Sequence, residues 1–293
     1  VTKLRVGAAD KDETVSEDKA ISDAYGNRFY HPLNFELLET SMPFYQSALG
    51  DRLEYELTFN EYSKTILSSD TNSNYVVENI CLEYDMVTDM ELAMQIANQY
   101  EDRIAIYYDR VLRHRVISAD KSDTLWNINL NVPARSMKGV LMLFKEREDP
   151  YGADPEKFYN PKIEKTEITI EGIPNQLYAQ GMRPYQQWDE AKKFFSGGQK
   201  RERVTNVISK GLELSDVSLG EYLTDKYALW LDMRTVDDDS LHGSGRRVDN
   251  ASEGITIQLT KGAEAAGKID IYLYVIMDSQ LNIQNKRFKN VLY

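Results

Sequence analysis

Between Tyr227 and Ile276 the chain sets out a strand pattern, breaks off into a long polar loop, and then resumes the same pattern. Tyr227–Met233, Gly254–Leu259 and Ile269–Ile276 all alternate with period two and are rich in β-branched and aromatic residues, the signature of half-buried strands. The intervening loop, residues 234–252, is too polar for a core and too long for a hairpin turn. A sheet that interrupts itself in this way predicts a scaffold whose function lies in its loops and contact faces.

The rest of the chain fits the same scheme. With 293 residues, 42% of them hydrophobic, it can bury one large all-β core. Residues 1–26 carry both charge signs and little apolar surface, and read as a charged linker or arm that orders only against a partner. Residues 27–293 then read as one jelly-roll domain with a C-terminal tail. Strands are expected at Asp51–Phe59, with Leu53, Tyr55, Leu57 and Phe59 on one face, and at Tyr75–Tyr84. Others are expected at Arg103–Tyr108 running on towards Ile117, Leu125–Val132, Met137–Phe144 and Ile163–Glu171. In Leu125–Val132 the residues Leu125, Asn127, Asn129 and Asn131 mark a wet face. Glu146–Pro161 holds three of the eight prolines and predicts a surface loop.

Helices are few. Thr88 and Glu91 have the spacing of a capping box, and Met90, Ala93, Met94, Ile96, Ala97 and Tyr100 follow at helical spacing, so this face is expected to pack on a sheet, the methionines included. Short helices are also predicted at Gln187–Phe195 and Ser218–Thr224, the second opened by Ser218 and Glu221. About eight strands with a few short helices in the connections make a jelly-roll sandwich, since an α/β fold needs a helix after almost every strand.

Chemistry is harder to find. His31, His114 and His242 stand apart, and His114 lies between Arg113 and Arg115, so no zinc site or cupin-type metal centre is nominated. Asp237-Asp-Asp239 lacks the spaced ligands of a calcium loop and reads as a solvated tip. Gly243–Arg247 precedes no helix and reads as a turn rather than a phosphate cradle. Asn250-Ala-Ser252 fits a glycosylation tripeptide, but no signal-like segment accompanies it. Cys81, the single cysteine, sits in an apolar pattern and is expected to be a buried, inert thiol. No nucleophile has a recognisable partner. The reading is therefore a non-enzyme with no catalytic, cofactor-binding or metal residues and no cofactor. A formal net charge of −12 disfavours direct nucleic-acid contact, and no apolar run approaches the roughly 20 residues of a membrane-spanning helix.

Leu231–Arg246, Ser252–Leu259 and Ile271–Ile283 resemble the C-terminal part of Polinton/Maverick-type (adintovirus) major capsid proteins. Pro43–Tyr45 with Leu49–Leu57 resembles, more distantly, the start of the second jelly roll in capsid proteins of large DNA viruses. The resemblance spans Phe29 to the C-terminus and rests on strand and loop wording. It implies a structural capsid subunit that forms homotrimers and then an icosahedral shell, with penton or minor capsid proteins as further partners. It implies a virion location after a soluble stage in the host cell. Proteins of that lineage carry two rolls, whereas this chain has strands for one, so either a first roll precedes Val1 or the chain is a single-roll derivative. The alternative reading is a jelly-roll module that recognises glycan or protein through the 234–252 loop. Residues 282–293 read as a tail past the last strand, and Lys200–Arg203, Arg246–Arg247 and Lys286–Lys289 are the basic segments expected to meet acidic loops of a neighbouring copy.

Overall fold

A computed structural model describes residues 54–59, 77, 79–83, 88–101, 103–147, 158–175, 178, 180–195, 219–235, 243–248 and 254–292. The strands in these residues are β1 (Ile104–Arg113), β2 (Ile117–Asp120), β3 (Leu125–Leu130), β4 (Ala134–Glu146), β5 (Ile163–Ile170), β6 (Ile173–Pro174), β7 (Ala228–Asp232), β8 (Arg246–Val248), β9 (Ile255–Lys261), β10 (Lys268–Gln284) and β11 (Arg287–Leu292). The helices are α1 (Met90–Gln99), α2 (Pro184–Phe195) and α3 (Leu219–Thr224).

Two antiparallel sheets face each other. One runs β1-β10-β4-β7, with β2 and β11 also paired to β10 and β8 to β4; the other runs β3-β9-β5-β6. Successive strands β3, β4, β5, β7, β9 and β10 alternate between the sheets, and the first and last strands of the eight, β1 and β10, end up side by side. That interleaving is the eight-stranded jelly roll the sequence predicts, with β2, β8 and β11 as additions at its margins.

The core lies between the sheets. In β3 the buried residues alternate strictly, Trp126, Ile128 and Leu130 inward and Leu125, Asn127 and Asn129 outward, as the wet-face reading requires. They meet Ile255, Ile257 and Leu259 of β9 and, from the other sheet, Ile269, Ile271, Leu273 and Val275 of β10 in one buried cluster. A chain of aromatic rings closes one side: Trp126 lies 6.4 Å from Phe144, Phe144 5.7 Å from Tyr227, Tyr227 5.2 Å from Tyr222, and Tyr222 4.7 Å from Trp188. The last two rings belong to α3 and α2, so those helices are pinned by aromatic packing of the kind worth about 1 kcal/mol per pair beyond burial.

The spine is β10, 17 residues long and continuous. Along one edge it pairs with β2 through Lys268–Ile271 and then with β1 through Tyr274–Ile283. Along the other it pairs with β4 through Ile269–Met277 and then with β11 through Gln280–Gln284. The expected tail is therefore a corrected reading, because residues 282–284 finish β10 and residues 287–292 fold back on it as a strand. Asn285 and Lys286 have positive φ of 53° and 59° at the two-residue turn, the mirror-image geometry that suits strand twist.

Other expectations need correction. Residues 54–59 form no strand and are exposed, including Tyr55, Leu57 and Phe59, and residues 79–83 likewise have no regular structure. Alternation prepares a strand, but only a neighbouring edge completes it, and among the described residues none pairs with these segments. Cys81 is consequently exposed rather than buried. Phe158, assigned to a surface loop, is buried and bridges to Lys226. The cap of α1 is Asp89, whose carboxylate accepts from the amides of Glu91 and Leu92, at 2.9 and 3.2 Å. Asp is as good a cap as Thr, and it stands one residue nearer the first turn. α2 begins at Pro184, three residues earlier than expected, with proline where a first helical residue needs no amide. Ser218 and the arm at residues 1–26 lie outside the described residues.

Candidate functional site at the root of the 234–252 loop

The loop is held at its base by the chain's own strands. Thr235 donates its amide to the Ser244 carbonyl at 2.8 Å and its hydroxyl to the same oxygen at 3.0 Å. Residues 246–248 then pair with β4, Met137 opposite Arg246 and Ala134 opposite Val248. Gly245 passes so close to β4 that a Cβ there would stand 2.5 Å from the Met137 carbonyl carbon. Only glycine fits this approach.

Beneath the root lies a buried polar knot. Asp109 of β1 and Asp278 of β10 are directly opposite in register, an arrangement that would repel if nothing stood between them. Lys138 supplies the counter-charge, with its Nζ 2.7 Å from Asp109 Oδ1 and 3.1 Å from Asp278 Oδ1. It reaches that place because β4 carries an irregularity there: Ile276 pairs with Gly139 and Met277 with Met137, leaving Lys138 as the extra residue of a bulge. Bulges re-aim side chains in this way. Ser136 Oγ donates to Asp278 Oδ2, the Gly243 amide donates to the same oxygen at 3.0 Å, and the Gly245 amide donates to Ser136 Oγ at 2.9 Å. The loop root and the spine thus share one hydrogen-bond network.

Lys138 and Asp278 are 4% and 3% exposed, so the network works at low effective dielectric. Burial by itself pulls the Lys138 ammonium down, but the Asp109 and Asp278 carboxylates and their hydrogen bonds outweigh it, and its pKa ends above the ordinary value. An ammonium held charged in this way is neither a base nor a nucleophile near neutral pH. It is a brace. Lys261, the other buried lysine among the described residues, is used similarly at the β9 end, where its Nζ donates to the carbonyls of Lys121 and Gly262 at 2.6 and 2.9 Å and sits 5.2 Å from the Trp126 ring centre.

Beside the knot an open cleft of about 250 Å³ is lined by Arg110, Leu112, Asn131, Val132, Pro133 and Met277. His114 is half-buried, its Nδ1 accepts the Arg115 amide at 2.8 Å, and burial followed by the Arg115 charge lowers its pKa. His31, His242, Asp237–Asp239, Asn250–Ser252 and Lys200–Arg203 lie outside the described residues. Among the described residues no group of three potential ligands could hold a metal ion, and no helix is long and apolar enough to cross a membrane. The knot itself was missed from sequence, because Asp109, Ser136, Lys138 and Asp278 are spread over 170 positions and carry no shared motif. The one signal was a set of charges inside otherwise apolar strands.

No protein-family profile matches the chain, and no curated protein is significantly similar to it. Among solved structures it is similar to the 3.5 Å cryo-electron-microscopy structure of the Sputnik virophage, at 13% identity and a TM-score of 0.38 over 64% of this chain and 38% of that one. It is also similar to the PBCV-1 virus capsid quasi-atomic model, at 12% identity and a TM-score of 0.37 over 70% of this chain and 54% of that one. The mavirus major capsid protein crystal structure matches at 11% identity and a TM-score of 0.34 over 64% of this chain and 42% of that one. The chain thus spans 38% to 54% of the length of the chains it matches.

Proposed function

We propose that this chain is a structural capsid subunit which acts by associating with copies of itself into a shell. The observation that carries the reading is the interleaved strand order β1-β10-β4-β7 over β3-β9-β5-β6. The sequence stretches that resemble Polinton/Maverick-type capsid proteins fall on β7, β9 and β10 of that jelly roll and on the loop rooted against it. The polar network under the loop braces a surface and offers no reacting group, which suits a protein that works through contacts. Homotrimers as the building unit, a shell with penton or minor proteins, a virion location and the absence of enzymatic activity belong to this same reading. The charged arm at 1–26 and the jelly-roll domain at 27–293 are its proposed organisation.

Negative-stain microscopy with analytical ultracentrifugation of the purified chain tests it. Regular oligomers or closed shells are expected, whereas a monodisperse monomer at high concentration would overturn the proposal. In that case the alternative gains, a recognition module using the 234–252 loop. One observation favours that alternative: the loop root is pre-organised on the domain's own strands. Binding to a glycan or peptide array, lost on deleting residues 239–246, would support it.

A further inference from the structure

We draw no further inference here: the strongest candidate, the outer face of α1, where Met90 and Met94 are turned to solvent at 76% and 61% exposure rather than packed onto the sheet as their spacing predicts, is an apolar surface patch, and nothing in the structure shows what covers it.

Discussion

The two halves of β10 are one strand with two environments. From Ile269 to Val275 the inward residues are fully buried between two sheets, in a cluster whose buried members come from six other strands. From Leu281 to Ile283 the same parity of residues is buried by a single ten-residue helix and one neighbouring strand. Between them Asp278 holds the Lys138 network. A continuous hydrogen-bonded backbone does not make a uniformly stable strand, because stability follows the apolar surface buried on its faces. The near half is scaffold, and the far half is a lighter lobe with a smaller buried cluster.

The sharpest way to break this comparison is to remove the same side chain from each half. Leu273→Ala should lower global unfolding stability by about 4 kcal/mol, since a densely packed site collapses little around the cavity. Leu281→Ala should cost about 2 kcal/mol, the low end for such a change. Its effect should be concentrated in faster amide exchange of α1, β11 and the end of β10. Equal losses, with the far lobe exchanging only by global unfolding, would show one cooperative unit.

The knot between the halves comes next. Asp278→Ala leaves Lys138 with one carboxylate and removes the acceptor for Gly243 and Ser136. Breaking a buried charge pair in this way costs about 3 kcal/mol. Lys138→Met should be at least as damaging, because it leaves Asp109 and Asp278 facing each other without a cation. In Asp278→Ala, limited proteolysis should cut within 236–243 first, reporting release of the loop root ahead of the core. Cleavage spread evenly over the chain would instead make the knot a global element.

The smallest effect concerns His114, which follows β1 where the chain leaves that strand for β2. Burial and Arg115 lower its pKa, so the folded state prefers the neutral ring. The unfolded chain therefore takes up the proton first, and stability that is full above the ordinary value of 6.5 is lost as pH falls below it. His114→Gln should flatten the slope of melting temperature against pH below 6.5 relative to the parent. An unchanged slope would assign the acid sensitivity to the carboxylates.

Much of the scaffold was legible from residues alone. Strict alternation in Leu125–Leu130 and β-branched richness in Ile163–Ile170 specify strands with one buried face, because side-chain period and burial are both local properties of a pleated backbone. Chain-long spacing of such segments, with few helices, was enough for a jelly-roll sandwich. The same local signal over-read residues 54–59, whose alternation is as regular as that of β3 but which no described strand accompanies. Sequence records the preparation of a strand and not its neighbour.

What only the tertiary structure decided is which residues meet. Lys138 reaches two aspartates because of a bulge, and bulges arise from the fit of one strand to another. Asp109 faces Asp278 because β1 and β10, distant in the chain, close the roll side by side. Met90 and Met94 fall outside because α1 sits on the sheet through Ile96 and Tyr100, and a helical period alone cannot say which side of a broad apolar stripe is turned inward. The sequence determined the elements and their faces, since these depend on neighbours a few residues away. The braced loop and the small lobe under α1 depend on neighbours more than a hundred residues away, where loop closure and packing decide the partner.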